Sequence, residues 1–278
     1  MERVLIVGAD GYVGARLYAD LKKSFDVAGT YFENRLFPEL LKLDITNATE
    51  AIEIVERTKP TIIVHVAANP SVAWCEANPA LAKKINADGT SNVVKAANRA
   101  NAKVIYISSF AAIRPNTVYG KTKRAGEEFV KNAKAGFIIL RPSLILGFSP
   151  NTANDRPFNR LLKNITDKTP AVYDRAWKFQ PTWIGHVSEI IQKVIEKRIS
   201  GEIIPIAVPG LKSRFDIAKD ILPSFGIEVA SKDAKDDSQV VEETQDKLKQ
   251  LGLAQYTYRE IIEKIKKEIT EHLERGGK

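Results

Sequence analysis

Tyr119 and Lys123 stand four residues apart in Tyr119-Gly120-Lys121-Thr122-Lys123, a spacing that sets a phenol and an ammonium on one helix face. Reducing a ketone requires a hydride at carbon and a proton at the oxygen as charge builds there. Free tyrosine titrates at about pH 10, so a neighbouring ammonium must favour the phenolate before the phenol can act near neutrality. Lys123 is placed for that task. A serine hydroxyl can hold the carbonyl oxygen as it becomes anionic. Ser109 lies ten residues before Tyr119 and is the candidate, with Ser108 in reserve. The Tyr-x-x-x-Lys pattern also occurs at Tyr18 and Lys22. Tyr18 falls more than a turn into the first predicted helix, where its ring serves as packing. Tyr119 instead follows a strand ending in two hydroxyls, at the carboxyl edge where open α/β sheets bind ligands.

The hydride source has its cradle at the start of the chain. The short apolar run Val4-Leu5-Ile6-Val7 meets Gly8-Ala9-Asp10-Gly11-Tyr12-Val13-Gly14, and Leu17 and Leu21 follow at helical spacing. This predicts a buried parallel strand turning directly into a helix. Bare backbone at Gly8 and Gly11 allows a tight turn and close approach of a diphosphate to the helix N-terminus, with Tyr12 and Val13 inside the bend. Gly14 lets the helix lie against the strand. The next strand is predicted over 25–32. Its end carries Tyr31, and Arg35 follows where an acidic residue would grip both ribose hydroxyls, which favours NADP(H). Glu33 between them keeps NAD(H) open. A strand over 61–66 runs into Ala67 and Ala68, small enough for a dinucleotide to cross the sheet edge. His65 reads as packed, and Asn86 as satisfying backbone groups.

These elements predict an α/β fold, a Rossmann-type doubly wound parallel sheet with a smaller C-terminal α/β substrate lobe. Strands at 104–107 and 137–140 continue the sheet, and one helix is expected from Pro79 to Arg99. The Rossmann domain is assigned to 1–147, with returns near 186–208 through a helix at 187–197 and a strand at 203–208; 148–278 forms mainly the lobe. Residues 148–180 are rich in Pro, Asn, Arg and aromatics and suit a loop and helix lid over a polar substrate. Arg156, Asn159, Arg175 and Trp177 there, and Trp74 upstream, are candidate substrate contacts. A charged loop is expected over 232–237. Tyr258, Ile261, Ile262, Ile265 and Ile269 stripe a last helix, as core or as a homodimer contact, and 275–278 are expected to fray.

Composition narrows the classes. The 278 residues hold 42 Lys and Arg against 34 Asp and Glu, a net charge of +8 that attracts phosphorylated ligands. The basic residues are dispersed, which argues against nucleic acid as a partner. Cys75 is alone and the histidines at 65, 186 and 272 are scattered, so no disulfide and no metal centre is expected, and Cys75 reads as a half-buried spectator. No apolar run reaches membrane length and the N-terminus has strand pattern, which predicts a cytoplasmic protein without a membrane partner.

The chain resembles the extended short-chain dehydrogenase/reductases, in their dTDP-4-dehydrorhamnose reductase branch. The carriers are Gly8, Gly11 and Gly14, Asp44-Ile45, Ala67-Ala68, Ser108-Ser109 and Val118 through Glu127. Leu140-Arg141-Pro142-Ser143, Gln180-Pro181-Thr182-Trp183 and Ser213-Arg214-Phe215 match further on. The resemblance implies that Asp44 contacts the adenine with Ile45 beside it, that Lys123 also binds the nicotinamide ribose, and that Pro142 and Ser143 lie against the nicotinamide. Two positions depart from the family. Between Ser109 and Tyr119 the loop is short, with Phe110 and Ala111 in place of an aspartate-tyrosine pair, and His186 stands where an acidic residue is usual. The implied function is NAD(P)H-dependent reduction of a keto group on a nucleotide-activated sugar. The alternatives are an NAD(P)-dependent nucleotide-sugar epimerase or dehydratase, and a cofactor-binding regulatory subunit without turnover.

Overall fold

A computed structural model describes residues 2–276; Gly277 and Lys278, which fall in the expected frayed tail, lie outside the described residues. The first unit runs through Pro142 and takes in Ser149–Asn151 and Ser188–Pro205; the second comprises Ser143–Phe148, Thr152–Val187 and Ile206 onward.

Strand β1 (Arg3–Val7) leads into helix α1 (Tyr12–Leu21), followed by β2 (Asp26–Tyr31), the short β3 (Leu41–Lys42), α2 (Ala48–Thr58) and β4 (Ile62–His65). After α3 (Val72–Ala77), the helix expected from Pro79 to Arg99 divides into α4 (Pro79–Ala82), a π-helical turn (Lys83–Asp88) and α5 (Gly89–Arg99). Close packing explains the glycine at that junction: a Cβ on Gly89 would lie 2.8 Å from the Ile45 side chain. Next come β5 (Lys103–Ile107), a 3-10 turn (Phe110–Ala112), α6 (Val118–Val130) and β6 (Phe137–Pro142).

The sheet order is β11-β6-β5-β4-β1-β2-β3, where β11 is Glu202–Ile206. β1 pairs in parallel with β2 on one side and β4 on the other, so the strand order reverses there. That reversal leaves a crevice at the carboxyl ends of β1 and β4, the usual place for a ligand in such sheets. The central strands β1, β4 and β5 read as apolar runs because both faces are covered. Leu5, Val7, Ile63, Val104 and Ile139 form one core with Ile54 and Val55 of α2 and Val93 and Val94 of α5.

In the second unit, residues 148–180 are more structured than a lid alone. They carry α7 (Pro157–Thr166), β8 (Ala171–Asp174) and β9 (Lys178–Phe179). β8 pairs with Val229–Lys232, so the expected charged loop starts on a strand end. Ile261, Ile262, Ile265 and Ile269 of the last helix, Tyr258–Glu274, are all buried within the chain, which makes their stripe core. His186 is buried too, with Nε2 2.8 Å from the Ala254 carbonyl. A buried neutral ring making a backbone hydrogen bond explains why an acidic residue is dispensable there.

Candidate active site

The glycine bend is built as a tight support. Gly8 has φ +92°, and a Cβ there would lie 2.8 Å from the Ala67 nitrogen, while one on Gly14 would lie 1.9 Å from the Gly8 carbonyl oxygen. Both must be glycine for the protein's own backbone. Gly11 differs: it is extended at φ −73°, ψ 165°, and the only neighbour a Cβ would meet is the Gly8 oxygen at 3.6 Å. The space is kept clear without an internal need, and no side chain caps α1 at Gly11. A diphosphate fits this arrangement, because the first helical N–H groups attract an anion.

The bend is tied down from several sides. The Val66 and Ala67 amides both donate to the Val7 carbonyl at 2.9 Å, the Phe32 amide donates to Asp10 Oδ2 at 3.2 Å, and Asn151 Nδ2 donates to the Asp10 carbonyl at 2.5 Å. Ser149 Oγ donates to the Tyr12 carbonyl at 2.6 Å. Burial pushes the Asp10 carboxyl above its ordinary range. Sequence reasoning missed Asp10, Ser149 and Asn151, since nothing in a single residue marks a contact across more than a hundred positions. Tyr12 is buried and Val13 half-buried.

At the end of β2, the Arg35 guanidinium stacks 5.8 Å from the Tyr31 ring centroid. A pocket past the end of β2 is lined by Phe32, Lys42, Asp44, Glu50, Glu53 and Ile54. Asp44 is ordered by its neighbours, accepting from the Thr46 amide at 2.8 Å while its own amide donates to Glu50 at 2.9 Å. Ile45 is a core side chain, 7% exposed. Ala67 and Ala68 are half-buried, and Ala67 lies against Gly8. Pro142 is buried at the end of β6; Ser143 belongs to the second unit, where its amide donates to Thr182 Oγ1 at 3.0 Å.

The three candidate catalytic residues lie on the segments that follow the carboxyl end of β5. Thr117 caps α6, accepting from the Gly120 amide at 3.0 Å, and the Val118 amide donates to Glu76 at 2.7 Å. Tyr119 is therefore in the first turn, half-buried, with Lys123 one turn on and fully buried. Lys123 Nζ donates to the Ile107 carbonyl at 2.7 Å and sits 4.1 Å from the Tyr106 ring centroid. Burial brings its pKa down to about 7, against the opposing attraction of Glu127. Ser109 caps the 3-10 turn, its Oγ accepting from the Ala111 amide at 3.2 Å. A Cβ on Gly120 would lie 2.5 Å from the Ala111 carbonyl oxygen, so this glycine lets the Ser109 turn seat against the first turn of α6. Phe110, in place of the family's aspartate, is buried in that turn.

Ser108 has a different occupation. Its hydroxyl donates to Glu127 Oε1 at 2.6 Å, and Glu127 is held by Arg141 through Nε at 2.8 Å and Nη2 at 2.6 Å. Ser108, the reserve candidate, thus has its hydroxyl engaged by a buried ion pair. That pair escaped the sequence reading, although an arginine within the apolar strand 137–142 was a signal that a buried partner was needed.

His65 is fully buried, its Nε2 2.9 Å from Thr90 Oγ1. Asn86 donates to the Asn69 carbonyl at 3.0 Å and accepts from its amide at 2.8 Å. Cys75 is fully buried beside the Asn69 carbonyl at 3.6 Å, deeper than expected. Tyr18 is packed, donating to Glu39 at 2.8 Å beside Lys22. Trp74 lies half-buried on α3. Among the substrate candidates of the second unit, Asn159 is buried and donates to the Asn154 carbonyl at 2.8 Å, an internal role. Arg156 precedes α7, Arg175 is exposed, and Trp177 packs 4.7 Å from Phe179 under the Arg214 guanidinium at 5.1 Å. Among the described residues there is no group of three or more His, Cys, Asp or Glu arranged for a metal, and no helix long and apolar enough to cross a membrane.

Comparison with known proteins places this geometry in context. A family model described as the RmlD substrate binding domain matches residues 1–249. A dTDP-4-dehydrorhamnose reductase of Aggregatibacter actinomycetemcomitans is 29% identical over 225 residues, covering 75% of this chain and 72% of the relative. The beta subunit of methionine adenosyltransferase 2 from Xenopus tropicalis is 26% identical over 212 residues, a match spanning 71% of this chain but only 63% of that subunit. The crystal structure of dTDP-4-dehydrorhamnose reductase from Bacillus anthracis in complex with NADP superposes with a TM-score of 0.80 at 26% identity, covering 97% of this chain and 98% of the other.

Proposed function

From the premise that this chain belongs to the RmlD substrate-binding-domain family, we propose that it is an NAD(P)-dependent oxidoreductase, favouring NADP(H), that reduces a keto group on a nucleotide-activated sugar as dTDP-4-dehydrorhamnose reductases do. The observation that carries the reading is the first turn of α6, where Tyr119 precedes a fully buried Lys123 at the carboxyl end of β5, in the same unit as the glycine bend.

The nicotinamide, when bound, supplies the hydride that goes to the carbonyl carbon. Tyr119 gives its phenolic proton to the carbonyl oxygen, completing the alcohol. Lys123 stabilises the phenolate left behind, and an ammonium whose pKa is brought to about 7 exchanges protons readily near neutrality. Ser109 orients the carbonyl oxygen by hydrogen bonding. The Arg35 guanidinium would hold the 2′-phosphate of NADP(H), which a bidentate fork suits. Arg156, Arg175 and Trp177 are proposed to touch the substrate, and cytoplasmic residence and a homodimer belong to the same proposal.

The test is NADPH oxidation by the purified chain with dTDP-4-dehydrorhamnose and a panel of nucleotide-linked keto sugars. One NADPH consumed per sugar reduced is the expected outcome. Sugar conversion with no net consumption would make the chain an epimerase or dehydratase. Tight NADPH binding with no conversion across the panel would make it a cofactor-binding subunit.

A further inference from the structure

Lys123 is the most deeply placed ammonium of the proposed site, and its surroundings raise a question of charge. Removing an ammonium from water is costly unless other groups replace its hydration. The Ile107 carbonyl accepts one of its three protons at 2.7 Å. The other feature against it is the face of Tyr106, with Nζ 4.1 Å from the ring centroid. The negative face of an aromatic ring attracts a cation, most strongly where water is excluded.

Tyr106 is itself fixed. It is fully buried in β5, stacked on His65 of β4 with centroids 5.4 Å apart, and its hydroxyl lies where a Cβ on Gly126 would come within 2.5 Å. The glycine at 126 is therefore the space that lets the ring lie flat under α6. Other charged or titratable groups around the ammonium are Tyr119 and Glu127 on α6 and His65 on β4, with Arg124 and Arg141 engaged by Glu127. His65 is kept neutral by burial, its pKa down to about 3, so it adds no competing charge near neutrality.

We infer that Tyr106 is a positioning residue for the proposed reduction: its ring face is the seat that keeps Lys123 charged and aimed along the first turns of α6, and the ring, not the hydroxyl, does this. The inference rests on the proposed role of Lys123. The hydroxyl lies against Gly126 and Thr90 while Nζ stands over the ring, so removing the hydroxyl leaves the ring face in place.

The experiment follows the Lys123 side chain directly, in the full chain labelled with 15N at lysine Nζ, with the resonance assigned by its loss in Lys123→Met. Its titration is compared in wild type, Tyr106→Phe and Tyr106→Leu, with Tyr106→Met as the alternative if the leucine variant does not fold. The leucine or methionine variant should titrate lower by about one pH unit, the size expected for a desolvated cation–ring contact, and Tyr106→Phe should titrate with wild type. The alkaline limb of the kcat/KM profile for NADPH-dependent reduction should move down with the leucine variant by the same amount. An unmoved titration in the leucine or methionine variant, or a phenylalanine variant displaced as far, would overturn the seat while leaving the reductase reading standing. A displaced titration in a protein that consumes no NADPH would instead uphold the seat and remove the reductase reading.

Discussion

The hydroxyl of Ser108 and the carboxylate of Glu127 share a 2.6 Å hydrogen bond in which both side chains are buried, Ser108 at 4% exposure and Glu127 at none. The neighbouring Ser109 is extended at φ −161°, ψ 156°, and its Oγ accepts from the Ala111 amide at 3.2 Å instead of joining the Glu127 pair. Ser108 anchors the Glu127–Arg141 pair, and Ser109 is the serine proposed to orient the carbonyl. Ser109→Ala should lower kcat for keto reduction by about 10- to 100-fold with a melting temperature close to wild type. Ser108→Ala should do the reverse, losing about 1.5–3 kcal/mol of stability in urea denaturation.

The glycine bend separates folding from binding. Gly14→Ala forces a Cβ to within 1.9 Å of the Gly8 oxygen and should cost about 3 kcal/mol or more. Gly11→Ala meets nothing closer than 3.6 Å and should stay within about 1 kcal/mol of wild type. It should still raise the Kd for NADPH about tenfold or more, because the added methyl occupies the diphosphate's approach. Thermal denaturation and a fluorescence titration read the two effects independently.

Acid should destabilise the protein through two buried imidazoles. Burial lowers the pKa of His65 to about 3 and that of His186 to about 4. The unfolded chain takes up protons on these groups below about pH 6.5 while the folded chain does not. Their contribution to stability is thus complete above about 6.5 and is lost as the pH falls toward 4, by about 1.4 kcal/mol per unit for each ring. His186→Gln, which can still donate to the Ala254 carbonyl, should reduce the slope of unfolding free energy between pH 6 and 4.5 by about one proton.

Cofactor choice should depend on the Arg35 guanidinium stacked on Tyr31. Arg35→Ala should raise KM for NADPH about tenfold and leave KM for NADH within about twofold, as expected when a charged contact to a 2′-phosphate is lost. Equal changes for both cofactors would show that Arg35 does not face that phosphate.

Some of this was legible in sequence and some was not. Val4–Val7 and Val104–Ile107 announce themselves because parallel strands covered on both faces must be apolar throughout. The helix face shared by Tyr119 and Lys123 follows from spacing alone. Glu127 and Arg141 are fourteen residues apart on different elements, and only the packing of α6 on β6 makes them partners. The π-helical turn at Lys83–Asp88 is similarly invisible, since it answers to local packing and not to propensity. Asn159, a substrate candidate from the polar and aromatic make-up of 148–180, donates to the Asn154 carbonyl inside the second unit, a local bond that composition does not reveal.

The measurement that bears most directly on the whole account is single-turnover NADPH oxidation by Tyr119→Phe, with cofactor affinity determined in parallel. Loss of the phenolic proton should slow keto reduction by at least about 100-fold while the Kd for NADPH stays within about threefold of wild type. A phenylalanine variant that reduces the sugar within tenfold of the wild-type rate would contradict the assignment of Tyr119 as the proton donor.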